Sequence, residues 1–139
     1  MVSKKQKYRQ LAQIAGEAKK QAYAPYSDFR VGAALLTKDG RVFTGCNIEN
    51  SSYSLTICAE RTAAFKAVSE GARDFVAIAI ASDEKGFTPP CGACRQVLLD
   101  LAGNVDFVMT NSKNELKIVK LKSLLPKAFT PTNLKLNRR

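Results

Sequence analysis

Apolar positions change rhythm along this chain, and the changes mark out its elements. Over residues 4–22, Leu11, Ile14, Ala15 and Ala18 recur at helical spacing among lysines and glutamines, and Pro25 stands where such a helix would stop. Residues 30–37 then form an apolar run of strand length. The dipeptide Asp39-Gly40 after it is a signal for a two-residue hairpin, so a return strand is predicted over 42–48. A polar loop over 49–56 leads to a helix over 58–69, with Ala63, Ala64, Ala67 and Val68 on its inner side and Gly71 as its stop. Residues 75–81 are uniformly apolar, as in a strand buried on both faces. Turn formers fill 82–90, a further helix covers 91–101 and ends at Gly103, and the next strand spans 105–110.

A strand–helix–strand unit crosses over right-handed and makes its two strands parallel. The link over 111–114 is too short for such a crossover, so the last strand, 116–120, is predicted antiparallel. The pattern gives an α/β fold with a mixed five-stranded sheet in one domain over 1–139. The tail after Leu124 contains Pro126 and Pro131, and over about 131–139 it reads as irregular and basic.

Composition narrows the class. A chain of 139 residues can bury one core. No apolar run reaches the length of a membrane span, and the first ten residues are too polar for a signal peptide. These features predict a cytoplasmic protein with no membrane partner, whose four cysteines stay reduced. The net charge of +10 raises the question of nucleic acid. Much of it lies at the ends, in Lys4, Lys5, Lys7, Arg9, Lys135, Arg138 and Arg139, with no aromatics interleaved as stacking platforms. A solvated surface explains that pattern better than a nucleic-acid partner.

The chain has no histidine, which excludes histidine bases and histidine metal ligands. The remaining concentration of chemistry is Cys58-Ala59-Glu60 and Pro90-Cys91-Gly92-Ala93-Cys94. Both stretches fall at predicted helix starts, where free N–H groups and the helix dipole stabilise thiolates. Cys91 and Cys94, three apart, share a helix face, and Gly92 would let the backbone approach the sulfurs. Three thiols suit one zinc ion with its fourth position left for water. Three thiolates leave a net charge of −1, which raises the pKa of that water, and Arg61 is the candidate for offsetting it. Glu60 is the candidate general acid/base. Asn47 and Glu49, two apart on a strand, share one face, with Cys46 and Ile48 on the other, read as the core side.

The combination resembles the small zinc-dependent cytidine deaminases that act on free nucleosides. It is carried by the run from Tyr26 to Ala34 (YSDFRVGAA), by Gly45 to Asn50 (GCNIEN), by Cys58 to Arg61 (CAER) and by Pro90 to Gln96 (PCGACRQ). The resemblance covers about residues 20–130 and implies the three-layer α/β/α fold of that family. It implies one Zn²⁺ per chain on Cys58, Cys91 and Cys94, and hydrolysis of cytidine and 2′-deoxycytidine to uridine and 2′-deoxyuridine plus ammonia, a step of pyrimidine salvage. Zinc-held hydroxide would attack C4 of the base, with Glu60 as proton shuttle. It also implies that Phe29 packs on the base, that Asn47 and Glu49 hold the ribose hydroxyls, and that the backbone of Ala59 meets the pyrimidine edge. Such deaminases are homotetramers, so Tyr53 and Phe129 would serve a neighbouring subunit's site.

Three rivals explain less. A thioredoxin-like redox pair at Cys91 and Cys94 leaves Cys58 and Glu60 without a role. A structural zinc module would need Cys46 as a fourth ligand rather than a buried strand residue. A polynucleotide deaminase would resemble a topology with the last two strands parallel, and Glu49 would repel a phosphate.

Overall fold

The computed structural model of the protein describes residues 2–134. Helix α1 (Lys4–Lys19) is followed by strands β1 (Val31–Thr37) and β2 (Val42–Cys46), helix α2 (Ala59–Ser69), strand β3 (Phe75–Ser82), helix α3 (Gly92–Ala102) and strands β4 (Asp106–Thr110) and β5 (Leu116–Lys120). The five strands make one sheet in the order β2-β1-β3-β4-β5. β3 and β4 run parallel, and every other neighbouring pair is antiparallel. The short link before β5 therefore reverses the chain, as its length requires.

Alternation along the strands sends side chains to two cores, one on each face. On one face, Tyr8, Leu11, Ala12 and Ala15 of α1 meet Ala34, Leu36, Ala77, Ala79 and Val108. On the other, the alanines of α2 and Leu98 of α3 meet Ala33, Leu35, Ile78, Ile80 and Phe107. The result is three layers, helix on sheet on helices. Glycine sets how close the layers come. A Cβ on Gly32 would stand 2.0 Å from the carbonyl oxygen of Ala15, and one on Gly45 would stand 2.4 Å from that of Ala59. Each helix lies directly on the strand backbone at these points.

Helix α1 starts on a capping box, Ser3 and Gln6 each bonding the other's backbone N–H. It ends at Lys19 rather than at 22, because Gln21 and Ala22 bond three residues back and tighten the last turn. Its inner face also differs from the predicted one. Tyr8 is fully buried, and Ile14 lies 38% exposed. The hairpin loop is longer than Asp39-Gly40 predicts. Thr37 N–H donates to the Arg41 carbonyl at 2.9 Å, leaving Lys38, Asp39 and Gly40 as a three-residue loop. Only Gly40, with φ +93°, has to be left-handed there.

Strand β2 stops at Cys46, short of 48. Beyond it Asn47 N–H still donates to the Val31 carbonyl at 3.2 Å, but the Asn47 side chain rather than its carbonyl accepts from Val31 N–H at 2.9 Å. The face read as the core side is no core at this edge: Ile48 is 46% exposed and Cys46 half-buried, because β2 is the edge strand of the sheet. The described part of the tail carries two 3-10 turns, Leu121–Leu124 and Pro131–Leu134. Lys135, Arg138 and Arg139 lie outside the described residues. No helix among the described residues is long and apolar enough to cross a membrane.

Candidate active site

The starts of α2 and α3 meet at one end of the sheet. Cys58 is the N-cap of α2 and Cys91 the N-cap of α3. Cys94 follows in the first turn of α3, its N–H donating to the Cys91 sulfur at 3.4 Å. The three sulfurs all lie within 4.8 Å of one another, with Cys58 to Cys91 at 3.7 Å and Cys91 to Cys94 at 3.3 Å. Cys46 is not in the group, so the four-sulfur arrangement of a structural zinc module does not form among the described residues. A Cβ at Gly92 would meet nothing within 4 Å, so packing does not require a glycine there.

The donor set fits zinc. Sulfurs at about 2.3 Å from a tetrahedral ion stand about 3.8 Å apart, and the observed spacings need only small adjustment to reach that. Two sulfurs at helix N-caps and one in a first turn have the electropositive surroundings that thiolates require. The protein offers three ligands, the number that leaves one position for solvent.

As free thiols the trio concentrates one negative charge on Cys58. The Cys94 thiol donates to it and Arg61 bonds it, and these outweigh burial, bringing Cys58 to about 5. Cys94 moves the opposite way, pushed far up by giving its proton to Cys58 and by its own burial. Arg61 Nη2 donates to the Cys58 sulfur at 3.5 Å and to the Thr56 carbonyl at 3.4 Å. Arg61 thus stands within reach of the cluster it is expected to offset.

Glu60 is 3% exposed, two residues past the N-cap Cys58 and in the first turn of α2. Burial is the main reason its carboxyl rises to about 7. Its own backbone N–H pulls the other way, and the Cys58 charge pushes it further up. A carboxyl group in this position has few routes to solvent.

The other predicted residues divide into groups. Ala59 is fully buried at the start of α2. Asn47 and Glu49 both hold the segment before β1. The Asn47 amide donates to the Phe29 carbonyl at 2.8 Å, and Glu49 accepts from the N–H groups of Tyr26 and Ser27. Phe29 is 37% exposed. Glu49 and Tyr53 line a cavity of about 390 Å³ with Tyr26, Ser27 and Thr56, where the Tyr26 and Tyr53 rings meet edge-on at 6.2 Å. Phe129 is remote from that cavity's lining. Its carbonyl accepts from Gln96 Nε2 at 2.9 Å, one turn along α3. A larger groove of about 1190 Å³ opens on the α1 side, and no cysteine sulfur or Glu60 lines it.

The zinc-binding region described for cytidine and deoxycytidylate deaminases matches residues 5–110. The chain belongs to the cytidine deaminase family. It is 52% identical over 119 residues to a cytidine deaminase of Sporosarcina psychrophila, covering 85% of this chain and 88% of that one. It is 49% identical to a probable cytidine deaminase of Dictyostelium discoideum, covering 86% and 82%. A crystal structure of cytidine deaminase from Burkholderia pseudomallei superposes with a TM-score of 0.85 at 48% identity, covering 88% of this chain and 98% of that one. The cytidine deaminase-like fold and the zinc site thus agree with the α/β/α layering and the sulfur cluster.

Two supports of this cytidine deaminase site lay inside recognised motifs without a role. Arg95 donates to the carbonyls of Pro90 at 2.9 Å and Leu124 at 2.8 Å, tying the sulfur-bearing helix start to the chain after β5. Ser27 bonds the Glu49 carboxylate. The bonds from Arg95 to Leu124 and from Ser27 to Glu49 join positions more than twenty residues apart, which local pattern does not reveal.

Proposed function

We propose that the protein is a zinc-dependent hydrolase that deaminates cytidine and 2′-deoxycytidine, releasing uridine or 2′-deoxyuridine and ammonia. The observation that carries this reading is the buried carboxyl of Glu60 beside three sulfurs gathered within 4.8 Å at two helix starts.

Cys58, Cys91 and Cys94 hold the metal. Bound there, zinc supplies Lewis acidity that makes water a usable nucleophile near neutral pH. Arg61 offsets the thiolate charge from 3.5 Å. Glu60 carries protons to N3 of the base and to the departing amine, in a pocket dry enough to keep them from solvent. Phe29 packs on the base, the backbone of Ala59 meets its edge, and Asn47 and Glu49 hold the sugar. The half-buried acceptor Glu49, a lining residue of the cavity, supports that last role, its carboxyl held below the usual range by bonds from Ser27.

Tyr53 and Phe129 are 75% and 59% exposed. Aromatic rings left in solvent, Tyr53 at the Glu49 cavity and Phe129 on the tail, support a homotetramer in which each serves a neighbour. Chain 1–139 acts as one deaminase domain, and a cytoplasmic place in pyrimidine salvage suits the free nucleoside substrates.

The test is direct. Purified protein carries one zinc per chain, bleaches the cytidine absorbance band and releases ammonia in step with it. Chelation stops both, and added zinc restores them. Fully metal-loaded protein that leaves cytidine and 2′-deoxycytidine intact overturns the proposal.

A further inference from the structure

We propose that Ser27 is a positioning residue for this reaction, tying the sugar-holding carboxylate of Glu49 to the backbone of Phe29. The inference rests on the reading of Phe29 and Glu49 given above.

The Ser27 hydroxyl donates to Glu49 Oε2 and accepts the Phe29 N–H at 3.1 Å. Glu49 Oε1 takes the N–H groups of Tyr26 at 3.0 Å and Ser27 at 3.1 Å. The Phe29 carbonyl meanwhile accepts from the Asn47 amide at 2.8 Å. Both backbone polar groups of Phe29 are thus committed to the two residues assigned to the sugar. One bond is direct, to Asn47, and the other runs through Ser27 to Glu49.

The tie is not one the backbone would adopt unaided. Asp28, between Ser27 and Phe29, sits at φ +55°, a left-handed conformation that a non-glycine residue holds only when its surroundings impose it. Its N–H donates to the Ala24 carbonyl at 3.0 Å, which closes the turn from the other side. A carboxylate has about four acceptor positions. Three are used here, two on Oε1 and one on Oε2. A sugar hydroxyl therefore shares Oε2 with Ser27. Binding of the sugar fixes the carboxylate, which fixes the serine, which sets the height of the Phe29 ring over the base.

The test compares zinc-loaded wild type with Ser27→Ala and Ser27→Thr. In Ser27→Ala, the Phe29 amide loses its acceptor and exchanges with solvent roughly tenfold faster, while β3 amides exchange as before. KM for cytidine rises roughly tenfold, and kcat falls no more than about threefold. Ser27→Thr, which keeps the hydroxyl, returns both readouts towards wild type. An unchanged Phe29 amide, faster exchange across the whole chain, or a kcat loss with KM unmoved overturns the proposal. If wild type itself leaves cytidine untouched, the deaminase reading fails, and the amide exchange still decides whether Ser27 holds Phe29.

Discussion

The guanidinium of Arg61 stands 3.5 Å from the sulfur of Cys58, and its Nε is buried without a hydrogen-bond partner. An arginine with its Nε buried this way is held towards the sulfurs rather than extended into solvent. Its charge faces three sulfurs that would otherwise leave a zinc site with net −1, and its neighbour Glu60 adds a further acid to the same turn. Sequence adjacency puts Arg61 on α2, and helical geometry brings its long side chain back over the N-cap.

Arg61→Gln removes that charge and leaves the ligands in place. Zinc affinity, kcat/KM or both fall roughly 10- to 100-fold, the range for groups that support a metal ligand without binding the metal. Competition with a chelator and steady-state rates read the two effects separately. Wild-type values in both would show that the helix dipoles alone compensate the thiolates.

Glu60→Gln keeps the shape of the side chain and removes its proton chemistry. The variant folds, binds one zinc and loses at least about 100-fold in kcat, since general acid/base groups contribute about 10² to 10⁴. Metal content and single-turnover rates measure this, and a near-normal kcat would refute the shuttle role.

Gly45→Ala tests how α2 is seated. The added Cβ would lie 2.4 Å from both the Ala59 carbonyl oxygen and the Ala63 nitrogen, so the helix bearing Cys58 and Glu60 has to move. Stability falls by about 2 kcal/mol or more, and activity falls with it. Gly16→Ala is the control. It lies inside α1 with nothing within 4 Å of the new Cβ, and it stabilises by about 0.5–1 kcal/mol. Urea unfolding of the two variants decides the contrast.

Asp106 links acid stability to the fold. Burial alone pushes its carboxyl up, but the Tyr8 hydroxyl at 2.6 Å, with Lys120 and Lys4, outweighs that and holds it at about 2. The ordinary value is 3.8, so the folded form gains stability from the charged carboxylate above about pH 4. That gain, about 2 kcal/mol, is lost as pH falls from near 4 towards 2. Wild type is therefore more stable than Asp106→Asn at pH 7, and the gap narrows across that window. A gap independent of pH would show that the carboxylate charge is not the stabilising element.

Much of the fold was legible because it is written in local rules. The uniformly apolar run became β3, the short link before β5 forced a reversal, and the cysteines at two helix starts became neighbours in space. Residues whose role depends on distant partners were not legible. Tyr8 shares the helix face of Leu11 and Ala15, but its hydroxyl has no partner in view until Asp106, 98 positions later, offers its carboxylate. Ile48 alternates like a core residue, yet it lies past the end of an edge strand and stays exposed. Asp39-Gly40 satisfies a two-residue turn on paper, and the strands chose a loop in which Gly40 alone is left-handed.

Spacing, periodicity and residue chemistry along the chain mark out which elements form and single out Cys58, Cys91, Cys94 and Glu60 as the candidate ligands and acid, because helix starts and residues three apart on one helix are local features. The seating of α2 on Gly45, the approach of Arg61 to Cys58 and the joining of Glu49 to Phe29 through Ser27 came only with the packed structure. Those relationships depend on how closely two layers approach and on which hydrogen-bonding groups are left facing each other once they do, and no stretch of chain carries that information alone.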